Sequence, residues 1–187
     1  FFFFFFRTPQ PSKMELSWWP GPIAGSRFTP AFLAQIKVSN SPTQMLAAVA
    51  KFAPGWGITN CGTEMDPGLR AEWGGRKNVL ATHPLDENTG CVLSKKVKVP
   101  AGGKTTLRLV VGHDPQGDFD LIVRANGKEQ LRKPVSKGTA TSDPWLVQEV
   151  DLSGFAGKKA VEIELVNQPS GWAFEAAYWA EIAVVSR

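Results

Sequence analysis

Short apolar runs that alternate with polar residues and end at turn residues recur along most of this chain. The stretch "QEVDLSGFAGKKAVEIELVNQ", residues 148–168, shows the unit: one strand stops at Asp-Leu-Ser, the chain turns, and a second strand follows. In that second strand Val161, Ile163 and Leu165 share one face, and the two glutamates between them share the other. One dry face and one charged face indicate an antiparallel sheet that is covered on one side.

Turn residues of the same kind divide most of the chain into short candidate strands. These are residues 56–60, 78–82, 91–99, 105–112, 119–125, 129–135, 145–152, 160–167 and 176–185. Asn126-Gly127 predicts a two-residue hairpin, because both residues tolerate a positive φ. Strands this short and closely spaced, with no long helix between them, favour a β-sandwich over a parallel α/β sheet. The predicted fold class is therefore all-β, an antiparallel β-sandwich over residues 55–187.

Residues 1–54 differ in composition and predict an extended arm, because they are rich in proline and glycine and mostly lack a period. The exception is a short helix at residues 41–53, where Ser41 can cap the N-terminus and Pro42 fits the first helical position. Its apolar residues fall at helical spacing, so we expect it to pack on the sandwich or on a partner.

Six phenylalanines, residues 1–6, open the arm. They do not form a signal peptide, since no basic region precedes them and no small-residue cleavage site follows. Exposed in a free monomer they would be an aggregation hazard, so either they pack against a partner or the run is artificial. Together with Trp18 and Trp19, they favour a protein partner for the arm.

The bulk composition excludes several classes of function. At 187 residues the chain suits one sizeable domain with an extension. The net charge of +4 comes from basic residues scattered among acids. No basic stripe with interleaved aromatics is visible, which argues against nucleic-acid binding. No apolar run approaches the roughly 18 residues of a membrane span.

Four stretches in order, "VPAGGKTTLRLVVGHD", "GDFDLIVRANGK", "VDLSGFAGKKAVEIELV" and "AAYWAEIAVV", resemble the galactose-binding-domain-like jelly roll. Within that superfamily the chain is most similar to the NPCBM-like modules of secreted bacterial multidomain proteins. The resemblance covers roughly residues 55–187. It implies a jelly-roll sandwich and a periplasmic or secreted location, and it specifies the fold better than the ligand.

Cys61 and Cys91 are the two cysteines of the chain. Their flanking segments look like loops and the chain looks exported, so we expect a disulfide between them. The alternative is a pair of buried thiols.

Catalysis is not expected. His83 and His113 are far apart in the sequence, and no nucleophile elbow of the G-x-S-x-G type is present. The turn "GHDPQGDFD" brings Asp114, Asp118 and Asp120 together, but such turns use aspartate for their own backbone hydrogen bonds.

The resemblance also implies a structural calcium ion, held by loop carbonyls, an aspartate and a glutamate of the last strand. Glu181 matches that glutamate by position, and Asp66 is the candidate second ligand. Strict alternation would place Tyr178 and Ala180 on one face, and Glu181 with Trp179 on the other. The alternative is that Glu181 pairs with an arginine or is exposed.

A sugar site is the functional hypothesis with a physical basis. Sugar-binding surfaces combine an aromatic ring, which stacks on the sugar, with polar groups that hold its hydroxyls. The loops 64–77 and 167–175 supply this mixture, with Trp172 as the predicted platform. Its predicted neighbours are Trp73, Arg76, Asn167 and Glu175. The alternative for each tryptophan is that it caps the sandwich core.

These observations lead to two functional hypotheses. The first is a non-catalytic carbohydrate-binding-type module of an exported protein. The second is a structural or accessory subunit that uses the jelly roll and its N-terminal arm for protein–protein assembly in a larger extracytoplasmic complex.

Overall fold

The computed structural model describes residues 41–187. Residues 1–40 lie outside the described part, and with them the phenylalanine run, Trp18 and Trp19. The predicted arm and its protein partner therefore stay predictions.

The helix expected at residues 41–53 is present as α1, Pro42–Phe52. A capping box begins it: the Ser41 hydroxyl accepts from the Gln44 N–H at 3.3 Å, and the Gln44 side chain accepts from the Ser41 N–H at 2.8 Å. Met45 and Val49 are buried in the same hydrophobic cluster as the strands, so α1 packs on the sandwich. No helix within residues 41–187 is long and apolar enough to cross a membrane.

Ten strands form two antiparallel sheets that face each other. They are β1 Gly57–Thr59, β2 Gly68–Trp73, β3 Arg76–Thr82, β4 Cys91–Val97, β5 Thr105–His113, β6 Phe119–Ala125, β7 Lys128–Val135, β8 Trp145–Asp151, β9 Val161–Gln168 and β10 Ala177–Ser186. The first sheet has the order β1-β4-β9-β6-β7 and the second β2-β3-β10-β5-β8. From β4 onward most connections cross between the sheets, so the predicted all-β sandwich is confirmed.

The core lies between the sheets where alternation predicted it. Val161, Ile163 and Leu165 of β9 are fully buried, while Glu162 between them is exposed. The inward residues of β5 and β6 are also fully buried; they are Leu107, Leu109, Val111, Phe119, Leu121 and Val123. The hairpin predicted at Asn126-Gly127 is present, with positive φ at both residues.

The turn at residues 152–160 does more than join neighbouring strands. It leads from β8 in the second sheet to β9 in the first, through a short 3-10 turn at Ser153–Phe155. The stretch that opened the sequence analysis is thus a corner between the two sheets.

Part of the predicted loop 64–77 is a strand hairpin, which corrects the sequence interpretation. β2 pairs antiparallel with β3, and Gly74-Gly75 form the turn between them, with φ of 54° and 73°. The hairpin was missed because its sequence is mostly polar and alternates weakly. Asn78 interrupts β3 with a φ of 53°, a left-handed conformation that asparagine tolerates better than most residues.

A bulge in β10 reverses the predicted face of Glu181. The pairing of β10 with β5 shifts between Trp179 and Glu181, because a bulge inserts one extra residue into a strand. As a result Ile182 packs on the same core cluster as Trp179, while Tyr178 and Ala180 pack on the opposite face of the sheet. Glu181 therefore does not share a face with Trp179.

The predicted disulfide is wrong, because Cys61 and Cys91 are both free. The two thiols contact each other, and this contact is the largest cause that lowers the pKa of Cys61. Burial raises the pKa of Cys91, which is 1% exposed. The sequence indicated that both residues lie near strand ends. It did not indicate whether their sulfurs are bonded.

Titration of the unreduced, denatured protein with a thiol reagent is therefore expected to find two thiols. In the folded protein Cys61 should react faster, because the buried Cys91 forms little thiolate. Cys91→Ser should keep the fast thiol, and Cys61→Ser should keep the slow one. A denatured protein that shows no thiol until it is reduced would contradict this result.

Candidate functional site

Two aromatic side chains protrude from the loop that joins β9 to β10. Trp172 is 40% exposed and Phe174 is 42% exposed, although the loop leads directly into the buried start of β10. Phe174 has a φ of 62°, in the left-handed region that bulky residues rarely adopt. This conformation is kept only where the surroundings fix it, so the loop is held in place by its contacts.

Glu175 supplies most of those contacts. Its side chain is buried, with 2% exposed, and its carboxylate accepts from the Gly171 N–H at 2.7 Å and the Ser170 N–H at 3.1 Å. The Ser170 hydroxyl lies 3.4 Å from the same carboxylate. Hydrogen bonds to an ionised acceptor are stronger than neutral ones, so Glu175 fixes the backbone on which Trp172 is carried.

The turn between β5 and β6 supports the same loop from the side. The Ser170 hydroxyl donates to Asp118 at 2.6 Å. A β-carbon at Gly117 would collide with the carbonyl oxygen of Phe174, so the two segments are in close backbone contact. Asp114 closes this turn by accepting from the Gln116 N–H at 2.9 Å, as expected of aspartate in a turn.

Asn167 lies beneath the loop and is fully buried. Its amide nitrogen donates to the carbonyl oxygens of Thr82 and Glu175 at 3.3 and 3.2 Å. These bonds join the end of β3 to the loop. Asn167 therefore supports the loop from inside, and its position does not expose it to a ligand.

His83, at the end of β3, lies against Trp172. The two rings meet edge to face, with their centroids 5.5 Å apart. Nδ1 of His83 lies 2.9 Å from the carbonyl oxygen of Pro84. Since a carbonyl only accepts, Nδ1 carries the hydrogen. His83 is 1% exposed, so it acts as a support for the Trp172 ring.

Trp73 lies elsewhere, at the tip of the β2–β3 hairpin. Its ring stacks on Tyr178 with centroids 3.6 Å apart and meets Trp145 edge to face at 5.3 Å. The Trp145 indole N–H donates to the carbonyl oxygen of Gly74 at 2.8 Å. The hairpin tip thus covers the outer face of the second sheet. There Trp73 packs against a second apolar cluster, whose buried residues are Val79, Ala81, Val110, Trp145, Ala176 and Tyr178.

Arg76 lies against the same second cluster. Its guanidinium lies over the Trp145 ring, 5.2 Å from the centroid, and that of Arg70 lies 5.5 Å from the centroid of Tyr178. Arg70 also donates to the carbonyl oxygen of Met65 at 3.0 Å. Cation–π contacts of this kind hold the hairpin onto the sheet.

The structure therefore divides the predicted site residues into two groups. At the β9–β10 loop lie Trp172, Asn167 and Glu175. The other two, Trp73 and Arg76, contact the second apolar cluster. The sequence analysis missed the supporting roles of His83, Ser170 and Asp118. The Ser170–Asp118 and His83–Trp172 contacts join segments far apart in the chain, so no local signal marks them.

The predicted calcium ligands do not by themselves make a calcium site. Glu181 is already paired with Arg108, at 3.1 Å. Asp66 has a φ of 54°, and its carbonyl oxygen accepts from Arg70 at 3.2 Å. Within residues 41–187 no group of three or more His, Cys, Asp or Glu could hold a metal ion, and calcium takes six to eight oxygens. Calcium binding stays a prediction that metal analysis of the purified protein would test.

No family model matches the chain, and no curated protein matches its sequence. Similar solved structures include the CBM35 module from Paenibacillus barcinonensis, at 11% identity over 71% of this chain and 94% of that one, with a TM-score of 0.47. The CBM22-1 xylan-binding domain of Xyn10C from the same organism is 15% identical over 72% of this chain and 86% of that one, with a TM-score of 0.49.

An adhesin domain of Lys-gingipain from Porphyromonas gingivalis is similar at the same level. It is 12% identical over 73% of this chain and 94% of that one, with a TM-score of 0.49. Similarities this low do not indicate what the present chain binds. The resemblance to NPCBM-like modules also stays a prediction.

Proposed function

We propose that this protein is a non-catalytic carbohydrate-binding-type module, with Trp172 as the platform for a sugar ring and Phe174 beside it. The observation that carries the proposal is the exposure of both rings on a loop that buried hydrogen bonds hold in place.

A fixed aromatic ring suits sugar binding for an energetic reason. A pyranose offers a small apolar face, so the gain from stacking is modest and is lost if the protein must order a loop on binding. Glu175 and Asn167 order the β9–β10 loop in advance, and His83 supports the edge of the Trp172 ring. Stacking would then cost little conformational entropy.

The polar groups that could select a sugar lie beside the rings. Ser170 and Asp118 are exposed and hydrogen-bonded to each other at 2.6 Å. A hydroxyl and a carboxylate can together donate to and accept from sugar hydroxyls. In this proposal they take the polar roles that the sequence analysis gave to Asn167 and Glu175, which are buried.

The proposal is of binding without turnover, because the acids and histidines near the rings are engaged in structural contacts. Glu175 accepts from loop N–H groups, and Asp114 closes its own turn. Nδ1 of His113 contacts the carbonyl oxygens of Asp114 and Gly117 at 2.7 and 3.1 Å. Among the described hydrogen bonds of the two histidines none is to a serine hydroxyl, as a catalytic triad would require. Export is also part of the proposal, and it rests on the resemblance alone now that the cysteines are free.

Affinity electrophoresis in gels that contain xylan, galactomannan or mixed-linkage β-glucan would test the proposal. We expect at least one of these neutral polysaccharides to retard the protein, and Trp172→Ala to abolish the retardation. Val185→Ala is the matched control, since Val185 is a 36% exposed apolar residue at the other end of β10. Equal mobility of wild type and Trp172→Ala in every gel would count against a sugar site at this loop.

Protein–protein assembly is the second candidate function, and one observation favours it. Leu46 of α1 and Leu85 are 51% and 50% exposed, and both line a groove of about 300 Å³ beside β1. Exposed leucines in a groove are typical of a surface that a partner covers. Light scattering of the wild type and of Leu46→Asp would show a stable complex and its loss.

A further inference from the structure

We infer that the end of the sandwich opposite Trp172 is a second binding surface, one that takes an acidic polysaccharide carrying carboxylate or sulfate groups. The surface, here called the basic end, consists of Lys98, Lys104, Lys158, Lys159 and Arg187. This inference is independent of the proposed sugar site, because it uses other residues at the other end of the strands.

Backbone hydrogen bonds bring these five residues together from three segments. Val99 N–H donates to the carbonyl oxygen of Lys158 at 3.0 Å, which joins the β4–β5 loop to the corner between the sheets. Lys104 and Arg187 exchange two backbone hydrogen bonds, of 2.9 and 3.0 Å. The positive charges are therefore held at one end of the fold by its own backbone, although they repel one another.

These cations have no structural use that would explain their grouping. All five side chains belong to exposed residues, and none of the ion pairs among residues 41–187 includes them. Asp151 is an acid beside this end. Hydrogen bonds from Ser153 are the main cause that lowers its pKa, and the charge of Lys104 adds to them. Asp151 therefore stays ionised and offsets part of the charge of Lys104, and the other four cations remain outside the ion pairs.

Several acidic residues lie in the loops at the opposite end of the sandwich. The loops there carry Asp86, Asp114, Asp118 and Asp143. The first three accept hydrogen bonds, and Asp143 lies 3.5 Å from Nε2 of His113. Asp86 accepts from two turn N–H groups, and Asp118 accepts from Ser170. Three of the four acids at this end thus accept hydrogen bonds within the fold, whereas the side chains of the basic end make no ion pair among residues 41–187.

A cleft of about 120 Å³ adjoins the basic end on the second sheet. Its charged lining residues are Lys104, Arg108, Arg187 and one acid, Glu149. Arg108 is paired with Glu149 and also with Glu181, so the charge of Glu149 is already balanced within the cleft. Lys104 and Arg187 are thus its available cations. An anionic group that entered the cleft would meet these two charges, while the lysines of the corner would attract the rest of the chain.

The predominance of lysine favours an acidic polysaccharide over nucleic acid. Arginine is the residue that binds phosphate in a bidentate way, whereas lysine acts as a compact point charge. Four of the five cations are lysines, so the surface suits separate monovalent groups along a flexible polymer. A partner that binds by charge in this way should be released by salt, because screening weakens exposed charges beyond about 8 Å at physiological ionic strength.

Two assays would test the inference. One is affinity electrophoresis in gels that contain polygalacturonate. The other is retention on immobilised polygalacturonate, with and without 0.5 M NaCl. We expect low-salt retention that high salt removes. The double variant Lys158→Glu/Lys159→Glu should bind at least about tenfold more weakly. The control Lys51→Glu/Lys77→Glu makes the same change in net charge at exposed residues between α1 and the hairpin, and it should change binding by less than about twofold. Trp172→Ala should bind as the wild type does.

Three results would overturn the inference. The first is an absence of low-salt retention, and the second is an equal loss in the two double variants, which would show attraction by net charge alone. The third is equally tight binding to a double-stranded oligonucleotide, which would show a nucleic-acid surface instead. Thermal melting of each variant would confirm that it is folded before its binding is compared.

Discussion

Trp179→Ala is expected to lower the free energy of unfolding by about 3–5 kcal/mol, the usual cost of removing a large aromatic side chain from a core. Trp179 has the largest side chain that is fully buried among the described residues. Its indole N–H donates to the Thr82 hydroxyl at 3.0 Å. The variant would leave a cavity between the sheets and would remove one of the two hydrogen bonds that the Thr82 hydroxyl oxygen accepts, the other coming from Asn167 at 3.4 Å. Urea denaturation of both proteins would measure the difference.

Trp179→Phe separates the two contributions. The phenyl ring fills most of the space but cannot donate, so we expect a smaller loss, closer to the roughly 0.5–1.5 kcal/mol of one hydrogen bond. A loss below about 1 kcal/mol for Trp179→Ala would mean that the core closes over the gap, which the close packing of protein interiors does not predict.

Glu175→Ala is expected to have the second largest effect, because it removes the acceptor of two backbone N–H groups in the β9–β10 loop. Loss of hydrogen bonds to a charged group lowers stability by about 1.5–3 kcal/mol. Binding to whichever neutral polysaccharide retards the wild type should also weaken, because the loop that carries Trp172 would no longer be fixed.

Glu175→Gln is the matched variant, since it keeps the shape and removes the charge. We expect a smaller effect than for alanine, because the remaining carbonyl oxygen can still accept one of the N–H groups. Stability and binding would be measured on the same preparations by thermal melting and affinity electrophoresis. If Glu175→Ala is measurably destabilised but binds the polysaccharide as the wild type does, the order of the β9–β10 loop does not matter for binding.

The sequence predicted the sandwich well because its strands follow local rules. Alternation in β5, β6 and β9 and the Asn126-Gly127 turn each depend on residues a few positions apart, and all are present as predicted. The β2–β3 hairpin was missed for the converse reason. Trp73 gains its place by stacking on Tyr178, a contact between residues far apart in the chain that no local pattern contains.

The positions of the candidate site residues followed from the sequence only in part, for the same reason. Trp172 is exposed in a loop, as its position beside Gly171 in the middle of the loop suggested, but the same reasoning assigned Asn167 and Glu175 to ligand binding. Both are buried, and their partners include Thr82 at the end of another strand. One bulge, at Ala180 in β10, was enough to reverse the predicted face of Glu181. Strand periodicity cannot indicate an inserted residue.

The central claim is that Trp172 serves a ligand and not the core, and one paired measurement tests it. The melting temperature and the affinity for the retarding neutral polysaccharide would be determined for the wild type and for Trp172→Ala. We predict weaker binding by about 1–3 kcal/mol, the scale of one large apolar contact, with a nearly unchanged melting temperature. A large fall in melting temperature with unchanged affinity would show that Trp172 holds the fold together, and would contradict the account.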